Sequence, residues 1–304
     1  MQVCAIFEKL IPRMASTSSH SHLATISAAR PNRLKHLLAA DQVAVGCLLS
    51  YDAPWLVEVL GMTGYDFITI DLEHEPIPSD AVAALVRTAD LVGMTSIVRM
   101  PASEAIFPFL SAGVQAVQIP DLRGRAHAEE IVELTRFAPR GRRTYYTQTR
   151  AAQYGVGIDE PEWIRQADEE MLVIAMIEHI ELLDELDEIL AVEGIDGFHV
   201  GTLDLQMSMG SPAPEKVDEV VAEIVSRCRA AGKYAAVGVV TPWALDAVQK
   251  RTGQGVQMLN VPSAWMLTHA VGSFLQEIEN RIPGDMRSRT ARMPTPNRYI
   301  NPAK

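Results

Sequence analysis

From residue 32 onward the chain alternates between short, nearly continuous apolar runs and longer stretches with helical spacing. The apolar runs fall at 43–49, 67–71, 95–99, 116–120, 171–178, 197–201, 234–239 and 257–261. They are short, rich in β-branched residues and apolar on both parities, which is how parallel strands covered on both faces read. Helical patterns occupy 53–62, 79–92, 105–111, 126–135, 182–192, 215–231, 242–251 and 263–281. Pro54 and Pro242 fall in first turns, where a missing N–H costs nothing. Ser79 and Ser263 are placed to act as N-caps. Eight strands alternating with helices predict a closed (β/α)8 TIM barrel rather than an open doubly wound sheet. The glycine fingerprint of a dinucleotide fold is also missing after the first strand.

Three domains of different character follow: an extension at 1–31, the barrel at 32–282 and a polar tail at 283–304. The extension is rich in Ser and His, with Arg13 and Arg30 and the single acid Glu8, a weak likeness to an organelle transit peptide; Met14 offers an alternative start. A long insertion at 137–160 breaks the rhythm, and with 206–216 it is the expected shaper of the pocket.

Composition narrows the function. Of 304 residues, 48% are hydrophobic, enough for one large core. With 38 acidic against 27 basic residues the net charge is −11, which disfavours nucleic acid and anionic membranes as partners. Cys4, Cys47 and Cys228 show no paired or metal-type spacing, consistent with a reducing, cytoplasmic setting. No apolar run reaches the length of a membrane span.

In such a barrel the reacting groups come from the C-terminal strand ends. Strand two ends in Asp71-Leu72-Glu73-His74, strand three in Arg99, strand five in Glu178-His179, and Gly201-Thr202-Leu203-Asp204 follows strand six. Glu178 and Asp204 are candidate ligands of a hard divalent cation, Mg²⁺ first and Mn²⁺ or Co²⁺ as alternatives, with positions left for water and a chelating substrate. Arg99 suits a developing oxyanion or a carboxylate. Asp71 is placed to orient His74 as a base. Taken singly, each has a structural counterpart: helix cap, surface ion pair or buried hydrogen bonder. Their gathering at one end of the barrel favours the functional reading. Glu73, His179, Tyr145 and Tyr146 are read as structural.

These residues sit in motifs that resemble the HpcH/HpaI aldolases, a family of metal-dependent pyruvate aldolases. The likeness covers about residues 32–280 and runs through Gly64-Tyr65-Asp66-Phe67, Ile70-Asp71-Leu72-Glu73-His74, Ile97-Val98-Arg99, Ala112-Gly113, Arg136-Phe137-Ala138-Pro139-Arg140-Gly141-Arg142-Arg143, Met176-Ile177-Glu178 and Val200-Gly201-Thr202-Leu203-Asp204-Leu205. The resemblance implies Glu178 and Asp204 as metal ligands, Arg99 at the keto oxygen of a pyruvyl unit, and His74 with Asp71 as a catalytic dyad. It assigns the backbone of Gly201, Thr202 and Leu203 to the substrate carboxylate. It further implies a hexamer, a trimer of dimers with exchanged C-terminal helices at 263–281, and no lysine Schiff base. The sequence departs from the family pattern at Ser111, Met176, His179, Thr202 and Gln206. Those departures keep open a biosynthetic, oxaloacetate-using synthase, citrate-forming or decarboxylative, beside the aldolase. A non-catalytic oligomeric barrel is the third reading.

Overall fold

The computed structural model describes residues 29–238, 241, 243, 245–284 and 290–293. The expectations for 1–28, Val239, Pro242 and most of the tail fall outside these residues. Eight parallel strands, β1 (Ala44–Leu49), β2 (Phe67–Asp71), β3 (Thr95–Arg99), β4 (Ala116–Ile119), β5 (Leu172–Ile177), β6 (Gly197–Val200), β7 (Tyr234–Val237) and β8 (Met258–Pro262), pair in order. β8 returns to β1 and closes the barrel, with Gly46 opposite Asn260. All eight predicted strands and the predicted barrel are present.

Alternate strand residues sort into two cores. Ile68, Ile70, Val98, Val117, Val173, Ala175, Phe198 and Val237 face the surrounding helices. Phe67, Ile97, Ala116, Leu172, Ile174, Ala236 and Met258 fill the inside of the barrel at its N-terminal half. Both faces are therefore dry, which is why the runs read as continuously apolar. Gly46 belongs to this packing: a Cβ there would overlap the Phe67 ring, so the ring fills the space a side chain would take.

The helices are α1 (Arg33–Ala39), α2 (Pro54–Thr63), α3 (Ser79–Leu91), α4 (Phe107–Ala112), α5 (Arg125–Thr135), α6 (Glu160–Glu170), α7 (Leu186–Leu190), α8 (Thr202–Ser208), α9 (Pro214–Ala230), α10 (Asp246–Gly253) and α11 (Ser263–Glu279). Pro54 opens α2 as expected. Three helices go beyond the sequence reading. α1 plugs the N-terminal mouth with buried Leu34 and Leu38; its Asn32 cap accepts from Lys35 N–H and reaches Thr95 Oγ1, Gln115 O and Glu170 O. α6 begins at the end of the predicted insertion, where Asp159 caps the helix by accepting from Glu162 N–H. α8 starts directly after β6.

Two expectations are corrected. Ser79 and Ser263 are the first residues of their helices rather than caps, because Pro78 and Pro262 hold the cap positions; Ser263 Oγ instead accepts from the Ser50 N–H at 3.2 Å. The 137–160 segment lines no part of the large cavity described below, and nor does 206–216. The reason for the first is topological: α5 returns the chain to the N-terminal mouth, so everything between α5 and β5 lies there. Phe137 N–H donates to Asp168, Ala151 N–H donates to Ser111 O, and Arg150 pairs with Asp90 at the end of α3. Tyr145 packs edge-on against Phe137, as loop packing predicts. Among the described residues no helix is long and apolar enough to cross a membrane.

Candidate active site

At the C-terminal end the barrel opens into a cavity of about 330 Å³. Six of the expected site residues besides Arg99 line it: His74, Glu178, Gly201, Thr202, Leu203 and Asp204. Asp71 stands behind Arg99. β2 and β3 pair so that Asp71 and Arg99 are direct partners, and the side chains meet in a two-pronged ion pair. Arg99 Nε donates to Asp71 Oδ1 at 3.0 Å and Nη2 to Oδ2 at 2.6 Å. Both side chains are nearly buried, at 11% and 4% exposure, so the pair is dry and its geometry fixed.

The expectation that Asp71 orients the His74 ring is not what the geometry shows. Both Asp71 oxygens are engaged by Arg99. Asp71 Oδ1 also accepts the backbone N–H groups of Glu73 at 3.1 Å and His74 at 3.3 Å. Asp71 thus positions His74 through the backbone and leaves the imidazole free. That ring is 61% exposed at the mouth, with Nε2 3.6 Å from Glu73 Oε2. Glu73 Oε2 lies 3.6 Å from Arg99 Nε too, and it makes no hydrogen bond although buried.

Glu178, at the end of β5, is buried at 6% exposure. Its Oε2 accepts the Asp121 N–H at 2.6 Å, and Asp121 holds a left-handed φ of 57° to present it. His179 points away from the cavity and bonds Asp121 Oδ1 at 2.7 Å, a structural role as read from sequence. Burial would raise the Asp121 carboxyl, but hydrogen bonds from His179 and Arg123 outweigh it and hold the carboxyl below its usual range. Gly201 lies against Glu178: a Cβ there would overlap the carboxylate, so the glycine makes room for it. Thr202 opens α8, whose first-turn N–H groups have no partner within the helix.

Carboxylates crowd this end of the cavity. Burial pushes the Glu178 carboxyl up, and the neighbouring charges of Glu73 and Asp204 push it further. Burial also raises Glu73, against the pull of Arg99 and His74. No three His, Cys, Asp or Glu side chains among the described residues converge closely enough to hold an ion alone. Of the carboxylates that line the cavity, Glu75, Glu178 and Asp204, the last two could hold a divalent cation as an incomplete shell of the kind Mg²⁺ or Mn²⁺ fills with water and substrate.

Sequence reasoning missed three polar residues of the cavity floor, Gln118, His199 and Asn260, which face inward beside Met176, already noted as a departure. Each of the three polar ones is a lone polar residue in an apolar strand at the inward parity, a signal that was present. Gln118 Nε2 approaches Met176 Sδ at 3.1 Å, placing an amide beside the Met176 departure from the neighbouring strand. Burial pulls His199 down to about 3, with Arg99 adding to the effect, so this imidazole is neutral.

Residues 45–262 match the family model described as HpcH/HpaI aldolase/citrate lyase. A 5-keto-4-deoxy-D-glucarate aldolase of Salmonella arizonae (strain ATCC BAA-731 / CDC346-86 / RSK2980) is 32% identical over 224 residues, which span 71% of this chain and 85% of the relative. A solved HpcH/HpaI aldolase/citrate lyase family protein from Burkholderia cenocepacia J2315 aligns with a TM-score of 0.75 at 26% identity, covering 82% of this chain and 99% of that one. The crystal structure of the citrate synthase SbnG aligns with a TM-score of 0.71 at 29% identity, covering 83% and 99%.

The raised Glu178 carboxyl has a pH signature in metal-free protein. Its folded value lies above the ordinary 4.5, so the folded state holds a proton that the unfolded chain releases. Stability from this group is present at low pH and is lost as pH rises through the folded value. In chelator-treated protein, Glu178→Gln is expected to gain in unfolding free energy relative to the unsubstituted chain as pH is raised from about 4.5 to neutrality. Denaturant titrations across that range check it; a difference that stays flat or reverses contradicts the buried, repelled carboxylate.

Proposed function

This chain belongs to the HpcH/HpaI aldolase/citrate lyase family, and we propose that it is an aldolase that cleaves or forms a carbon–carbon bond beside a 2-oxo acid, using His74, Arg99, Glu178 and Asp204. The observation that carries this reading is the convergence of one dry, oriented guanidinium and two carboxylates on a single cavity at the C-terminal barrel end. A divalent cation, Mg²⁺ or Mn²⁺, would be held by Glu178 and Asp204 and would supply Lewis-acid polarisation of the 2-oxo group.

The chain's own groups do the rest. Asp71 holds Arg99 so that its remaining N–H groups face the cavity, where they stabilise the oxygen of the 2-oxo group as negative charge develops on it. The first-turn N–H groups of α8 at Thr202 and Leu203 receive the substrate carboxylate beside Gly201, whose own N–H is spent on Ile177 O. In the cleavage direction His74 takes the proton of the C4 hydroxyl. The C3–C4 electron pair passes into the C2–C3 bond, an aldehyde leaves, and the resulting enolate takes a proton at C3 to become the 2-oxo acid. Glu73 Oε2 stands 3.6 Å from His74 Nε2. The cavity is large enough for a three-carbon 2-oxo acid and a short acceptor together.

A second reading has a specific observation behind it. The 29% identical relative of known structure is a citrate synthase, and Ser111, His179 and Met176, which meets Gln118, depart from the aldolase pattern. Oxaloacetate as the substrate of a synthase, either as the acceptor in citrate formation or as the enolate source after decarboxylation, therefore stands as the alternative. Metal-supplemented turnover of 4-hydroxy-2-oxo acids and of oxaloacetate decides between them. The aldolase reading expects chelator-sensitive release of pyruvate and aldehyde from the hydroxy acids, with Glu178→Gln slowed by at least about a hundredfold. Inert hydroxy acids with oxaloacetate consumed would transfer the assignment to the synthase. Full activity in Glu178→Gln would remove both.

We also propose a homo-oligomer in which α11 packs on a second copy. Val271 and Phe274 on α11 are 64% and 69% exposed, an apolar face of the sort that a subunit interface covers. Sedimentation of the full chain is expected to give a hexamer, and Phe274→Glu a smaller species; a monomeric parent chain contradicts it.

A further inference from the structure

The opposite, N-terminal mouth of the barrel carries a second cavity, of about 40 Å³, room for roughly three waters. Arg30, Gly113, Arg143, Trp163, Glu170 and Met171 are among the residues that face it. Two of these end in buried donors without acceptors. Arg143 is 8% exposed and its Nη1 makes no hydrogen bond; Trp163 is 3% exposed and its indole Nε1 makes none. The Arg143 guanidinium lies 4.4 Å from the centre of the Phe137 ring, a cation–π contact that leaves Nη1 without an acceptor. Burial pulls it down to about 10, and Asp168 offsets this only through its field, since its Oδ1 is taken by the Phe137 N–H.

The surrounding ion pairs leave Arg143 out. Arg30 and Arg150 both spend themselves on one carboxylate, Asp90. Glu170 gives Oε2 to the Asn32 N–H at 2.5 Å and Oε1 to His36 Nε2 at 3.2 Å. With Asp168 counted, three guanidiniums face three carboxylates, but Arg143, unlike Arg30 and Arg150, makes no ion pair among the described residues. A water molecule would accept from both orphaned donors but would leave the buried guanidinium without a directly paired charge; an anion answers both demands.

We propose that this cavity binds a small monovalent anion, of the size of nitrate, bicarbonate or a carboxylate group, between Arg143 Nη1 and Trp163 Nε1. The volume excludes nucleotides and phosphorylated sugars. The site lies at the other end of the barrel from the proposed chemistry and takes no part in it. Its anion would fasten the 137–160 segment, which carries Arg143, to α6, which carries Trp163.

The test uses nitrate, with ionic strength held constant by a bulky organic anion, and the tryptophan emission and melting temperature of the full chain. Nitrate is expected to quench part of the emission saturably in the millimolar range and to raise the melting temperature in step. Trp163→Phe removes the saturable part of the quench. Arg143→Met weakens the response by at least about tenfold, the loss of a charge-assisted hydrogen bond. Should Arg143→Met not fold, a crystal of the unsubstituted protein grown in bromide decides, with anomalous density expected between the two donor atoms. Linear quenching alone, an equally tight response in Arg143→Met, or a crystal without bromide there overturns the proposal.

Discussion

The ion pair between Asp71 and Arg99 is the interaction on which the cavity depends. It exists because β2 and β3 run parallel in the register that sets these two residues side by side at their last rung. A buried guanidinium without a partner would cost several kcal/mol, so Asp71 is what allows Arg99 to stand in a dry cavity at all. Asp71 offers its oxygens on two sides. Arg99 takes both from one side, and the N–H groups of Glu73 and His74 take Oδ1 from the other. The loop that carries His74 is thereby tied to the same atom that orients Arg99. One carboxylate sets both the electrophilic and the basic elements of the proposed reaction.

Across the cavity the charge balance is reversed. Glu178, Glu73 and Asp204 repel one another, and burial raises the first two. Nothing in packing alone rewards this crowding. Gly201 gives up a side chain to admit the Glu178 carboxylate, and Asp121 adopts a left-handed backbone to bond it. The cation proposed for this site would relieve the repulsion. The two mouths of the barrel divide the labour. The N-terminal mouth is closed by Leu34, Leu38 and the buried Arg136, which donates to Met171 O and Gly194 O and pairs with Asp196. The C-terminal mouth stays open.

The barrel was legible because parallel strands buried on both faces leave an unmistakable apolar rhythm, and all eight emerged from it. The candidate residues were legible because chemistry in this fold gathers at strand ends. What escaped notice depended on direction and distance. α8 was hidden behind Gly201-Thr202, whose residues favour turns. α6 was announced by Asp159, Pro161 and Glu162 but was absorbed into an apparent loop. The inward floor of Gln118, His199 and Asn260 required reading strand parity, which a continuously apolar strand conceals. The partner of Asp71 is set by strand register, which fixes Arg99 rather than the nearer His74.

The central claim is that this cavity joins a divalent cation and a 2-oxo acid at Arg99. Binding of oxamate, an unreactive isostere of pyruvate, measured by calorimetry with and without Mn²⁺, tests it most directly. The account predicts that Mn²⁺ binds and that oxamate affinity rises by at least about tenfold in its presence, a coupling of 1.4 kcal/mol or more. Oxamate affinity that is the same in chelator, or a protein that takes up no Mn²⁺, would contradict it.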